Sequence, residues 1–235
     1  MQRVVAPELL DELAPDDARA RRSRRDLVRV NAWMGNARCM SRLVQEHGAA
    51  QTIRRVVELG AGDGTFMLNI ARRLGSPRTP VEVWLVDRQE LVTQETLAGF
   101  ANVGWTAQAL CADVFEWFAT GVREPIDLVL ANLFLHHFTD EPLRQLFHRV
   151  AATAKVFAAC EPRRSARARI ACRSLWLLGC NAVTRHDAAI SVRAGFRGQE
   201  LSALWPEKEG WQLVEQANGL FTHCFVAKRV KEELE

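Results

Sequence analysis

A glycine-rich turn and three acidic residues stand at or near the ends of successive apolar segments of this chain. The segment Val56–Phe66 places Gly60, Gly62 and Gly64 at alternate positions directly after an apolar strand. Glycine accepts positive φ angles and has no Cβ, so such a turn lets a ligand lie against the backbone. It delivers that ligand to the carboxyl end of a strand, where the binding crevice of an open α/β sheet lies. The pattern therefore predicts a site for a nucleotide-like cofactor.

The acidic residues indicate which ligand the turn accepts. Asp87 follows the apolar run Trp84–Val86 and can accept two hydroxyl hydrogen bonds from a ribose. Asp113 ends the next strand, where it can accept from the exocyclic amine of an adenine. Glu58 lies within the first strand beneath the turn, and its charge suits a cationic ligand better than a pyrophosphate. Each acid taken singly also fits a role in capping or turn formation, but together they predict a positively charged cofactor.

The glycine spacing separates this turn from two phosphate-binding motifs. The dinucleotide fingerprint GxGxxG needs its third glycine at position 65, which is Thr65. The turn also lacks the lysine and the dense N–H cradle of a P-loop. An NAD(P)-dependent oxidoreductase on a Rossmann sheet is therefore an alternative that the sequence disfavours.

Composition and charge are those of an ordinary soluble domain of 235 residues. The formal net charge of +3 is too small to argue by itself for a nucleic-acid partner. The six cysteines form no CxxC pair, which predicts buried thiols in a reducing, cytoplasmic compartment. No apolar run reaches about 18 residues, so neither a membrane span nor a membrane partner is expected.

The predicted secondary structure that positions these residues changes after the first fifty residues. Residues 1–50 predict helices, whereas residues 51–235 alternate strands with helices. Strands are predicted at 54–59, 81–86, 105–112, 126–131, 155–160, 211–215 and 220–228. Helices are predicted at 64–74, 89–98, 114–118, 141–152 and 166–178, followed by a less regular stretch. This order predicts a doubly wound, mostly parallel α/β sheet, and Asn218-Gly219 predicts a closing hairpin that inserts an antiparallel strand.

With these motifs in this order, the chain resembles the class I S-adenosylmethionine-dependent methyltransferases. Glu58–Gly64 resembles their first motif, Asp87 their ribose-binding second motif, and Asp113-Val114 their adenine-contacting third motif. Ile126–Asn132 resembles their fourth-strand motif, and the closing hairpin their antiparallel seventh strand. The resemblance implies a seven-stranded Rossmann-like sheet that binds S-adenosyl-L-methionine.

The resemblance also assigns parts of the chain to roles. It implies an N-terminal helical lid over residues 1–50, a catalytic domain over 51–235, and a variable substrate-side insertion at 163–210. The residues that it places around the cofactor are Glu58, Gly60, Ala61, Gly62, Asp87, Arg88, Asp113, Val114 and Asn132.

The segment after the fourth strand supplies the candidates for proton transfer. His136–Glu141 is similar to the His-Asp-Trp-Ser-Asp-Glu run of plant phenol O-methyltransferases, whose leading histidine is the base. Carried over, His136 takes the base position and His137 is the second candidate, with packing or helix-start contacts as the alternative. Asn132 lacks the following Pro-Pro-aromatic motif of amine-directed enzymes. The apolar rim lacks the aspartates of metal-dependent catechol-type enzymes, so no metal is expected.

The acceptor pocket is expected between the lid and the rim after the fourth strand. The residues predicted to wall it are Asn31, Trp33, Met34, Asn36 and Leu133. A different reading makes Leu27, Val30 and Met34 the buried stripe of a docking helix. The apolar rim favours a hydrophobic small-molecule acceptor, aromatic or polyketide-like, methylated on oxygen in natural product biosynthesis. Methylation on carbon or nitrogen stays open, as does a monomeric or homodimeric state.

Arginine clusters support an alternative from another class. Arginines concentrate at 19–29 and again at 163–173, where Arg169 and Arg173 share a helical face. They fit an RNA-directed methyltransferase or a nucleic-acid binder, although such clusters are more often a solvated helix face. A cofactor-binding scaffold without turnover is a further alternative.

Overall fold

The computed structural model describes residues 2–14, 16–47, 53–121, 125–172, 174–206 and 209–230. Within these residues a seven-stranded sheet has the order β3-β2-β1-β4-β5-β7-β6. The strands are β1 (Arg55–Leu59), β2 (Val81–Asp87), β3 (Trp105–Cys111), β4 (Ile126–Asn132), β5 (Ala154–Pro162), β6 (Trp211–Asn218) and β7 (Thr222–Arg229). The first five are parallel, and β7 pairs antiparallel with both β5 and β6. The predicted α/β class, the parallel sheet and the inserted closing hairpin are confirmed.

Helices cover both faces of the sheet. They are α1 (Leu9–Glu12), α2 (Ala18–Met34), α3 (Asn36–His47), α4 (Thr65–Leu74), α5 (Gln94–Ala101), α6 (Val114–Ala119), α7 (Asp140–Thr153), α8 (Ala166–Cys172), α9 (Ala182–Ala194) and α10 (Glu200–Leu204). Two 3₁₀ segments, Leu135–His137 and Leu175–Leu178, follow β4 and α8. Among the described residues, no helix combines the length and the apolar character needed to cross a membrane.

Strand β4 divides two apolar cores. Leu128 and Leu130 pack on the face covered by α3, α4 and α5, while Val129 and Ala131 pack on the face covered by α6, α7 and α10. All four side chains are fully buried, as expected for a parallel strand covered on both faces. The sheet therefore holds its carboxyl-end residues on a rigid base.

The first two helices attach to α9 through buried carboxylates. The carboxylate of Asp187 accepts hydrogen bonds from the backbone N–H groups of Leu9 and Leu10, at 2.9 and 3.0 Å. The carboxylate of Asp26 accepts from the backbone N–H of Asn181 at 2.7 Å and from the hydroxyl of Thr184 at 3.2 Å. Because side chains satisfy these backbone donors, α9 forms the platform on which the N-terminal segment lies.

Several predicted boundaries differ from the structure for local reasons. The helix predicted at 89–98 is α5 (Gln94–Ala101), because the hydroxyl of Thr93 accepts from Thr96 N and caps it five residues later. The helix predicted at 166–178 divides into α8 and a 3₁₀ segment, and Arg173 lies outside the described residues. The stretch expected to be less regular contains α9 and α10. Strand β5 runs two residues beyond its predicted end, which brings Glu161 into the sheet.

Candidate active site

The glycine turn after β1 has the backbone conformation that its sequence predicts. Gly60, Gly62 and Gly64 have φ angles of 68°, 56° and 74°, in the left-handed region that favours glycine. The turn is tied to β2, since the N–H groups of Gly60 and Ala61 both donate to the carbonyl oxygen of Val86, at 2.9 and 3.1 Å.

Two of these glycines are needed for different reasons. A Cβ added to Gly62 would meet nothing within 4 Å, so the space beside it is open to a ligand. A Cβ added to Gly60 would lie 2.2 Å from Cδ2 of Phe134, so glycine is required there by the packed aromatic ring. The expected approach of a ligand to the backbone therefore applies to Gly62.

Asp87 lies across the turn at the end of β2. Its Oδ2 accepts from the N–H of Gly62 at 2.9 Å, and its Oδ1 accepts from the N–H of Gln89 at 2.9 Å. These bonds fix the carboxylate beside the open face of the turn. Each oxygen retains a lone pair that can accept from a ribose hydroxyl.

Glu58 is a buried carboxyl without a full set of partners. Its side chain is 2% exposed, and its Oε2 has no hydrogen-bond partner. Burial, reinforced by the charges of Asp63 and Asp87, raises the pKa of Glu58 well above its ordinary value. A positively charged ligand would supply the missing partner and favour the ionised form. This arrangement fits the cationic cofactor that the sequence predicts.

Arg88 and Asp113 form an ion pair at the neighbouring strand ends. Nε of Arg88 donates to Oδ2 of Asp113 at 2.8 Å, while Oδ1 accepts from the backbone N–H of Phe115 at 2.8 Å. Asp113 thereby caps α6, and Val114 begins that helix with its side chain buried. Although burial acts in the opposite direction, the hydrogen bonds from Arg88 and Phe115 lower the pKa of Asp113. Both carboxylate oxygens of Asp113 thus already have partners.

Asn132 ends β4 inside a network of amides. Nδ2 of Asn36 donates to Oδ1 of Asn132 at 3.0 Å, and Nδ2 of Asn132 donates to Oδ1 of Asn31 at 3.5 Å. The hydroxyl of Thr222 on β7 donates to Oδ1 of Asn36 at 2.8 Å. The network connects the N-terminal helices to two strands, and it brings together residues predicted for cofactor and for acceptor.

The remaining residues predicted for the acceptor occupy different environments. Met34 is half-buried, whereas Trp33 is 57% exposed with its ring centroid 4.9 Å from that of Phe221. Leu133 has a φ angle of 52°, an uncommon conformation for a leucine. Its N–H donates to the carbonyl oxygen of Cys160 at 2.9 Å, which holds the chain in this strained turn.

His136 is enclosed between two carboxylates. Its side chain is 4% exposed, with Nδ1 at 2.8 Å from Oε2 of Glu161 and Nε2 at 3.3 Å from Oε1 of Glu8. Burial acts to lower its pKa, but the hydrogen bonds that the ring donates to Glu161 and Glu8 outweigh it and raise the pKa of His136 to about 9. The ring is therefore protonated at neutral pH and has no free nitrogen. This arrangement does not suit the predicted role of His136 as a base.

Glu161 holds both the histidine and the loop before it. Its fully buried carboxylate accepts from the backbone N–H groups of Phe134 and Leu135, at 2.9 and 2.8 Å. The strand prediction ended one residue before Glu161, although an acid at a strand end is the same signal that identified Asp87. No comparable signal marks Glu8, because only the folded chain brings it to the histidine.

His137 is more accessible than His136. Its side chain is 28% exposed, and its Nδ1 lies 3.4 Å from Oδ2 of Asp11. Donor atoms of Glu8, His136 and His137 lie within 4.8 Å of one another, a spacing that a metal ion can bridge. A metal ion bound here would have to displace the proton of His136, because a ligating histidine must be neutral.

A single large cavity connects these groups. Its volume is about 1330 Å³. That exceeds the ~300–1,000 Å³ of a typical small-molecule pocket, so it has room for two ligands. One part is lined by the glycine turn and Asp87, and another by apolar side chains from the helical segments. These apolar residues include Leu27, Val30, Met34, Phe138, Leu175 and Leu177.

Comparisons with known proteins agree with this geometry. Residues 56–156 match the family model described as "Methyltransferase domain". No curated protein matches the chain in sequence. Among solved structures, an O-methyltransferase family protein from Burkholderia thailandensis has a TM-score of 0.62 at 18% identity over 93% of this chain. This chain spans 62% of that protein.

Two further structures share the fold. The plantazolicin methyltransferase, solved in complex with SAH, has a TM-score of 0.61 at 12% identity, with 91% of each chain covered. The mitomycin 7-O-methyltransferase has a TM-score of 0.59 at 16% identity, over 94% of this chain and 60% of its own. Residues 56–156 therefore match a methyltransferase domain, and the chain has the fold of these solved methyltransferases, as predicted.

The enclosure of His136 predicts a measurable pKa. In the intact protein the ring should titrate near pH 9 in NMR chemical-shift measurements. Glu161→Gln should lower that pKa, because it removes the negatively charged carboxylate that lies beside Nδ1 of His136. Asp11→Asn, which alters only the partner of His137, should leave it unchanged. Titration of His136 near its ordinary value of 6.5 in the wild type would contradict the assignment.

Proposed function

We propose that this chain is a methyltransferase that uses S-adenosylmethionine to methylate a small hydrophobic acceptor, with oxygen as the favoured atom. The observation that carries the proposal is the open face of Gly62, bordered by the carboxylate of Asp87 and the unpartnered carboxyl of Glu58, inside the matched domain. S-adenosylmethionine supplies a sulfonium-activated methyl group when bound. The protein must bind it, orient the acceptor and exclude water.

The cofactor end of the cavity has a group for each polar feature of such a ligand. Asp87 provides acceptors for ribose hydroxyls, and Glu58 provides a counter-charge for the ammonium. Asp113 would contact an adenine amine through lone pairs that its bonds to Arg88 and α6 leave free. Asn132, with Ala61 and Val114, lies on the same lining of the cavity as the glycine turn.

The acceptor end is predominantly apolar and lies under the N-terminal helices. We infer that residues 1–50 act as a lid on a catalytic domain over 51–235, with 163–210 contributing substrate-side elements. The support is that α2 lines the cavity while α1 and α2 attach to α9. Apolar walls favour an aromatic or polyketide-like acceptor, and two structural neighbours are named for natural products. We therefore propose a biosynthetic role in the cytoplasm.

His137 is our candidate to take a proton from the acceptor. His136 is protonated below pH about 9 and both of its ring nitrogens have carboxylate partners. His137 lines the same cavity with part of its ring exposed. His136 then serves to position the loop and the N-terminal segment.

Cofactor binding can be measured by calorimetric titration with S-adenosylhomocysteine. Wild-type protein should bind it and not NAD. Asp87→Ala should weaken binding by roughly tenfold or more, since a hydrogen bond to a charged group contributes about 1.5–3 kcal/mol. Glu82→Ala, an exposed acid on the same strand, is the matched control and should bind normally. A preference for NAD would refute the cofactor assignment.

Glu58 predicts proton release on binding. Burial raises its pKa and favours the protonated form in the absence of ligand, whereas the ligand ammonium should favour the ionised form. Titrations at pH 7 in buffers of different ionisation enthalpy should show up to about one proton released per S-adenosylhomocysteine. Glu58→Gln should abolish the release. Equal proton exchange in both proteins would show that Glu58 does not face the cofactor charge.

The two histidines should differ in their mutational effects. His137→Ala should lower turnover about a hundredfold at near-normal cofactor affinity, as for loss of a general base. His136→Ala should instead lower the melting temperature, because it leaves buried carboxylates unpaired. His148→Ala, on the exposed side of α7, is the control. Near-normal turnover of His137→Ala, with a stable but inactive His136→Ala, would return the base role to His136.

A further inference from the structure

Three buried cysteines converge from three separate elements. Cys39 lies on α3, Cys160 on β5 and Cys224 on β7, and their exposed fractions are 4%, 0% and 1%. The sulfur atoms of Cys39 and Cys224 are 3.3 Å apart, and those of Cys160 and Cys224 are 3.8 Å apart. All three sulfurs lie within 4.8 Å of one another, and all three thiols are free.

We propose that Cys39, Cys160 and Cys224 form a binding site for one thiophilic d¹⁰ metal ion. Thiolates select soft ions such as Cu⁺ and Zn²⁺. Three sulfurs that each lie about 2.3 Å from one ion are about 3.8–4.0 Å from each other. The Cys160–Cys224 separation of 3.8 Å lies in this range, and the Cys39–Cys224 separation of 3.3 Å is about half an ångström shorter, a difference that side-chain rotation can supply.

The sheet register holds two of the ligands in place. Cys160 and Cys224 are directly paired residues of the antiparallel strands β5 and β7, so their sulfurs share one face of the sheet. Helix α3 packs on that face and brings Cys39 over the pair. This site is built from rigid elements, which is what a preformed metal site requires.

Metal binding at this site is coupled to proton release. Each thiol that coordinates does so as a thiolate, so the coordinating thiols release their protons to solvent. Three thiolates and a divalent ion carry one net negative charge, which the nearby Arg42 guanidinium offsets.

The metal site lies next to the amide network of the main cavity. Asn36 precedes Cys39 by one helical turn, and Asn132 is the register partner of Cys160. Thr222 stands two residues before Cys224, on the same face of β7. The same elements therefore carry both sets of side chains, although the three cysteines are separate from the cavity lining.

Two other arrangements compete with a metal site. Free cysteines also pack in cores as small apolar side chains, without any ligand. Cys39 and Cys224 are also close enough to form a disulfide after a modest movement, which an oxidant such as a peroxide would drive by taking up two electrons. The experiment must therefore use reduced protein and must count both ions and thiols.

The test is a titration of reduced, metal-free protein with Cd²⁺, in which the sulfur-to-metal charge-transfer absorption measures the amount of ion bound. We expect saturation at one ion per chain, with affinity that rises with pH. Cys39→Ser and Cys224→Ser should each weaken binding at least roughly tenfold. Cys180→Ser, which removes another buried thiol outside the cluster, should bind as the wild type does. Competition of Zn²⁺ and of Cu⁺ with bound Cd²⁺ then shows which of these two ions the site binds more tightly.

A second measurement does not depend on the folding of variants. Pulsed alkylation of the wild-type protein, read by mass spectrometry, should show Cd²⁺ protecting Cys39, Cys160 and Cys224 but not the exposed Cys111. Absence of stoichiometric binding, or protection that spares these three thiols, would overturn the proposal in favour of apolar packing. Loss of two titratable thiols under mild oxidation, without any metal binding, would instead assign a disulfide.

Discussion

The buried ion pair between Glu161 and His136 is the contact on which the rim of the site depends. Glu161 has no exposed surface. Its carboxylate accepts hydrogen bonds from the backbone N–H groups of the loop after β4 and pairs with the ring of His136. The other ring nitrogen contacts Glu8, so one imidazolium compensates two buried carboxylates. That positive charge therefore stabilises both carboxylates and, with them, the contact between the N-terminal segment and the loop.

Buried carboxylates also attach the first two helices to α9. Asp187 and Asp26 accept backbone N–H groups across long sequence separations, and each attaches one helix to α9. Helices α1 and α2 are therefore attached to α9 by specific polar contacts, whereas α3 packs into one of the two apolar cores of the sheet. Polar attachment lets α1 and α2 separate from α9 at a smaller cost in exposed apolar surface than α3 would incur.

The sheet and the acids at its strand ends follow from local sequence, whereas the histidine environment does not. Strand runs, glycine spacing and strand-end acids such as Asp87 are read within about ten neighbouring residues, and the structure places them as expected. The state of His136 depends on Glu8, which is 128 residues away. Likewise the sulfur of Cys39 meets that of Cys224 across 185 residues. No local sequence pattern predicts contacts between residues so far apart. A motif that suggests a catalytic histidine therefore does not predict whether the ring nitrogens of that histidine are free.

The attachment of the N-terminal segment also has a consequence for the order in which the chain assembles during synthesis. Residues 3–12 leave the ribosome before their partners, since Arg3 bonds to the carbonyl oxygen of Ala194, 191 residues later, and Leu9 bonds to Asp187, 178 residues later. These partners must be translated before the segment can dock. The nascent segment therefore waits undocked while β1 to β5 emerge, and closing the rim is a late event that completes the site only after the sheet can support it.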